Sequence, residues 1–143
     1  MAEAEAAIES SIDDLHVQMG YRWHTSEGGN RVQLGVPDTD DYALRISCRN
    51  RRLLVDFPAS TNDGEGSPTS ALFHNGERRP GAVFWRDGRP FVVVPLATED
   101  SLVAELVTER RISIRTSHSI ATAWGEGGSR FVQSLADHCR TAN

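Results

Sequence analysis

The chain has 143 residues, 38% hydrophobic and 24% charged, with a net charge of −5. That is long enough for one domain with an ordinary core, and no apolar run approaches the roughly 18 residues of a membrane-spanning helix. The charge is uneven: residues 1–43 hold nine acids against Arg22 and Arg31, whereas residues 44–143 hold eleven acids against thirteen arginines, giving −7 and +2. The acidic front is a solvated segment or a surface that steers a basic partner. All fifteen basic residues are Arg, which GC-rich codon usage explains more simply than a need for bidentate anion contacts.

Residues 1–20 read as an amphipathic N-terminal helix, with Ile8, Ile12, Leu15 and Met19 on one stripe and Gly20 ending it. The stripe is expected to dock on the chain's own domain, and it is also the first candidate contact for a partner. The start is acidic and lacks the basic and apolar regions of a signal peptide.

Residues 21–143 read as one β domain. Tyr21–Trp23 opens an extended segment, Ser26–Asn30 is a loop, and Arg31–Val36 is a strand with Val32, Leu34 and Val36 on one face. Leu44–Phe57 reads as a hairpin. Leu44, Ile46 and Cys48 alternate with Arg45, Ser47 and Arg49 before a polar turn, and Leu53, Val55 and Phe57 alternate with Leu54 and Asp56 after it. One apolar row should face inward and a basic rim outward. Ala59–Pro68 is a loop by composition, followed by short strands at Thr69–His74 and Ala82–Arg86, with turns at Asn75-Gly76 and Pro80-Gly81. Asp87-Gly88 is the strongest two-residue turn, leading into Phe91–Pro95. A short helix is expected over Thr98–Glu109, capped by Thr98 or Asp100, strands over Arg111–Thr116 and Ser119–Trp124, and a last helix from Ser129 through Cys139 after Glu126-Gly127-Gly128. The expected fold is mainly β: an antiparallel β-sandwich with an N-terminal helix, one inserted short helix and a C-terminal helix.

Chemistry is sparse. The five histidines show no ligand spacing, no Gly-x-Ser-x-Gly elbow occurs, and Glu126–Ser129 lacks the lysine of a phosphate loop. No catalytic, metal or cofactor residues are assigned. Arginines at 49, 51, 52, 78, 79, 86, 89, 110, 111 and 115 form a basic face only if the strands align them, and the interleaved acids argue against nucleic acid. Phe84 and Trp85 alternate, so one should be core and the other surface. Trp85, Arg86 and Arg89 on this hairpin are the second set of candidate partner contacts. The two cysteines, Cys48 and Cys139, make one disulfide or two buried thiols.

Trp23, LRISCRN at 44–50, LLVDF at 53–57, VFWRDGRP at 83–90, SLVAELV at 101–107, RISIRT at 111–116 and GSRFVQSLADHC at 128–139 follow one another in an order that resembles the VasI-type accessory proteins of type six secretion systems and their small β-sandwich relatives, over about residues 23–139. The resemblance implies a non-enzymatic accessory protein, a periplasmic location and a bridge between Cys48 and Cys139. The segment AAIESSIDDL at 6–15 carries neither the signal sequence nor the extra cysteine pair usual in that family. The location is periplasmic if a signal has been removed and cytoplasmic otherwise. The leading expectation is a non-enzymatic protein-binding accessory protein. The alternatives are a cytosolic inhibitor or adaptor of a macromolecular machine, and a small hydrolase with a site in the Ala59–Pro68 loop, which requires a cleft that collects His118 or His74 beside a serine and a carboxylate.

Overall fold

Asn50 and Arg51 sit at φ 53° and 62°, the two positive angles of a tight primed turn. They join β3 (Tyr42–Arg49) to β4 (Arg52–Pro58) with Arg49 opposite Arg52. Asp87 and Gly88, at φ 51° and 76°, do the same for β6 (Arg78–Arg86) and β7 (Arg89–Ala97). These hairpins lie side by side through β4 and β7 at the middle of the fold. A computed structural model describes residues 2–107, 111–124 and 127–141. Its remaining elements are α1 (Ala2–Gln18), β1 (Arg22–Ser26), β2 (Arg31–Gly35), β5 (Pro68–Phe73), α2 (Ser101–Leu106), β8 (Ile112–Arg115), β9 (Ile120–Ala123) and α3 (Ser129–Thr141).

The architecture is mainly β, with antiparallel pairing and helices at the start, before β8 and at the end, as expected. The nine strands form one continuous sheet in the order β1-β2-β3-β4-β7-β6-β5-β8-β9. It curls on itself: Trp23 Nε1 in β1 donates to the carbonyl of Trp124, just past β9, at 2.8 Å. The inward row of the central hairpin, Leu44, Ile46, Leu53, Val55 and Phe57, is fully buried. It shares one core with Val132, Leu135, Ala136 and Cys139 of α3 and Leu102, Val103 and Leu106 of α2. Removing this much aliphatic surface from water is the main source of stability.

Three expectations are corrected. Pro80-Gly81 lies inside β6, paired with Ser70 and Thr69. Pairing of β6 with β7 begins only at Ala82, so the missing N–H of Pro80 interrupts no ladder on that side. The short helix α2 starts at Ser101, because Asp100 caps it by accepting from the Leu102 N–H at 2.9 Å. The expected helix residues 108 and 109, Arg110 and Glu126 lie outside the described residues. Finally, α1 does not dock by its apolar stripe. Asp13 pairs with Arg111 and the His16 ring stacks on Tyr21 at 4.4 Å, whereas Ile8, Leu15 and Met19 are exposed and Ile12 is half-buried. Polar contacts on the neighbouring face, about 100° around the helix, decide its orientation.

One glycine shapes the outer face. Leu34 pairs with Leu44 but Gly35 with Tyr42, so Ala43 is an extra residue, a bulge in β3. The bulge brings Tyr42 onto the same face as Arg45. A Cβ on Gly35 would lie 2.7 Å from Tyr42 Cβ and 2.8 Å from its Cα, closer than packed carbons allow. Gly35→Ala is therefore expected to destabilise the fold by about 1–3 kcal/mol, read as a lower urea midpoint at unchanged slope. An unchanged midpoint would show that the bulge does not depend on this close approach.

Candidate functional site

The outer face of the central strands carries a row of polar side chains set by register. Gln33 of β2 is opposite Arg45 of β3, Arg45 is opposite Asp56 of β4, and Asp56 is opposite Val93 of β7. Alternation alone assigns Arg45 and Asp56 to solvent, yet each is only 5% exposed. The bulge explains this. It puts the Tyr42 ring under Arg45, whose guanidinium carbon stands 3.9 Å above the ring centroid. The Tyr42 hydroxyl donates to Asp56 Oδ1, and Phe91 stacks on Tyr42 at 5.7 Å. Arg86, from the distant β6–β7 hairpin, donates to the same Asp56 oxygen at 3.2 Å and lies 4.3 Å above the Phe91 ring.

Burial is the largest influence on each of these groups. It pushes the Asp56 carboxyl above the usual carboxylate range, against the opposing pull of Tyr42, Arg45 and Arg86. It raises Tyr42, with Asp56 adding to the effect, and this keeps the phenol protonated as a donor. It also lowers Arg45, although Tyr42 and Asp56 favour its charge. The row continues outward: Arg45 Nε donates to Gln33 Oε1 at 3.2 Å, and Gln33 Nε2 lies 3.3 Å from His24 Nε2. Gln33 Nε2 can only donate, so His24 Nε2 is the acceptor of that contact, and burial holds His24 below its ordinary value.

Beside this row lies a groove of about 520 Å³. Ser47, Leu54 and Val93 form its floor, Glu27, Asn30 and Arg31 one wall, and Glu65, Phe84 and Trp85 the other. Arg45 also reaches two smaller adjoining depressions of about 120 and 240 Å³. Four arginines line the groove, at 31, 45, 49 and 86, against Glu27, Asp56 and Glu65. The basic rim expected on this face is therefore partly the lining of an open groove.

Of the candidate contacts, Trp85 and Arg86 stand at this groove, and Arg89 lines the smallest depression with Asp40 and Asp87. Phe84 and Trp85 are both surface residues, 39% and 36% exposed, so neither is core. The reason is the loop before β5. Trp85 Nε1 donates to the Asp63 carbonyl and the Trp85 N–H to Glu65, both at 2.8 Å, which holds the indole against that loop. Ile8, Ile12 and Leu15 belong to α1 and Met19 directly follows it, and none of them lines the groove. Cys48 and Cys139 are bonded to each other, with Cα atoms 5.6 Å apart. Tyr42, Gln33 and Asp56 are site residues that the sequence reading missed.

Away from the groove, Arg79 is held by Asp100 and Glu77, Arg111 by Asp13 and Arg140 by Asp137. A second cleft, of about 390 Å³, gathers His74 and Ser113, and His74 Nε2 lies 3.2 Å from Glu105. These are the residue types of a hydrolase. However, His74 Nδ1 is buried with no hydrogen-bond partner, so the serine–histidine bond of an activated nucleophile is not formed. His118, 3.8 Å from Asp63, lies on an exposed turn. Among the described residues, no three His, Cys, Asp or Glu side chains gather as a metal site, and no helix is long and apolar enough to cross a membrane. No protein-family model matches the chain, no curated protein matches its sequence and no solved structure matches its fold.

Proposed function

We propose that the protein acts by binding another protein, holding a peptide segment of it in the groove on the outer face of β3, β4, β6 and β7, without catalysing a reaction. One observation carries this reading: the groove joins half-buried apolar floor residues and an exposed Phe84 to Arg45 and Arg86, which cross-strand contacts hold in place. A pre-formed depression with apolar area and a few oriented polar groups suits recognition at little ordering cost. An accessory role in a secretion machine, which the resemblance to VasI-type proteins implies, belongs to the same reading.

Selection from a random displayed peptide library on the folded protein tests it. Enriched peptides are expected to bind the wild type and to lose roughly tenfold or more on Phe84→Ser, the size of a removed anchor contact. Phe84 is exposed, so this variant should melt like the wild type. The reading is overturned if no peptide is enriched over a blank surface, or if the enriched peptides bind Phe84→Ser as well as wild type.

A further inference from the structure

Arg45 is built for a ligand it does not meet within its own chain. A guanidinium has five N–H donors in a fixed fork. Only Nε of Arg45 is used: it donates to Gln33, and neither terminal nitrogen has a hydrogen-bond partner among the described residues. The side chain is held in place, because Tyr42 lies under it and Gln33 holds its Nε. Its residue is 95% buried by the 5% exposure quoted above, yet it lines the groove and both adjoining depressions. The nearest acid does not satisfy it either: the Asp56 oxygen that faces this cluster is taken by Tyr42 and Arg86. The two terminal nitrogens are thus left open toward the groove, with Asp56 and the Tyr42 ring favouring their charge.

We propose that Arg45 anchors the side-chain carboxylate of an aspartate or glutamate in the bound peptide, with an apolar neighbour of that acid lying against Phe84, Leu54 and Val93. This rests on the groove being the peptide site, and it names what the groove selects. A planar monoanion matches the open edge of the guanidinium with two parallel N–H···O bonds. Arg31, Arg49 and Arg86 supply further positive potential, whereas Asp56, Glu27 and Glu65 nearby oppose a group of higher charge. That balance favours a carboxylate over a phosphate. The groove is flanked by walls on two sides, formed by Arg31 and by Phe84 with Trp85. A segment can therefore lie along it with its backbone continuing beyond the acid.

The test selects one random peptide library in two formats, with blocked and with free C-termini, on the wild type, Arg45→Met, Arg45→Lys and Phe84→Ser, each checked by thermal melting. Blocked peptides with an acid beside an apolar residue are expected to dominate on the wild type. Arg45→Met should lose that acid preference and at least roughly tenfold in affinity, the worth of a charge-assisted contact. Arg45→Lys, which keeps the charge without the fork, should fall between. If Arg45→Met does not fold, the Lys variant carries the comparison. Enrichment without an acid preference, an acid preference unchanged in both Arg45 variants, or enrichment only of free C-termini overturns the anchor. Where such peptides are still lost on Phe84→Ser, the groove reading stands without it. If nothing is enriched in either format, both fall.

Discussion

Replacing Cys48 and Cys139 together with alanine, or reducing the bond, is expected to lower the melting temperature by about 8–15 °C, the largest change from any single contact in this fold. The bond closes a loop of 91 residues. In the chain-entropy model a loop of that length is worth about 4–5 kcal/mol, with measured values often nearer 2–4. The magnitude is plausible here because of what is tied together. Cys48 ends the inward row of β3, and Cys139 ends the buried stripe of α3, the helix that fills the concave side of the sheet. Without the bond, Val132, Leu135 and Ala136 still bury α3, so folding should survive with a frayed helix end. Contacts near that end should loosen with it: His138 against Asn30 at 3.0 Å and Arg51 against the Arg140 carbonyl at 2.9 Å. Thermal melts with and without reductant, and amide exchange over residues 135–141, measure both effects. Oxidised and reduced forms that melt within about 2 °C, too little for even 1 kcal/mol in a chain of this size, would show that the bond adds nothing.

The same two cysteines mark how far the sequence could be read. Local alternation identified the buried faces of β3 and β4, and a 3.6-residue period identified the stripe of α3, because each pattern lies within one element. The polar run 50–52 and Asp87-Gly88 identified two hairpins for the same reason, the first turn being one residue shorter than that run, since Arg52 already pairs with Arg49. The site escaped because it depends on pairings between distant residues. Arg45 and Asp56 occupy ordinary outward positions. Their burial follows from the bulge at Ala43, which turns Tyr42 onto their face, and from Arg86 arriving through the pairing of β4 with β7. A strong signal was available in one place: a glycine at position 35, just before an acidic turn, marks close backbone approach. The helix α1 misled in the opposite sense. Its apolar spacing suggested docking, and two polar contacts, Asp13 to Arg111 and His16 on Tyr21, set its orientation instead.

Asp56→Ala is expected to cost about 3 kcal/mol, near the low end for breaking a buried ion pair, since Arg86 is partly solvated. Its carboxylate is the acceptor for Tyr42 and Arg86 and the counter-charge for Arg45. Alanine would leave two guanidinium groups and a phenol facing one another around a small void. Asp56→Asn keeps an acceptor for the Tyr42 hydroxyl and should lose less. The two variants also separate charge from shape through pH. Because burial raises the folded-state carboxyl above its unfolded value of 3.8, the folded protein holds this proton more tightly than the unfolded chain. Stability from this group is then fully present below about pH 4 and declines as pH rises through the raised folded value. Measured against Asp56→Asn, which has no proton to lose there, the wild type should therefore lose relative stability between about pH 4 and neutrality. Parallel melting curves for the two proteins across that range would mean that Asp56 titrates normally and that solvent reaches it. An Asp56→Ala protein as stable as wild type would show that Arg45 and Arg86 do not rely on it.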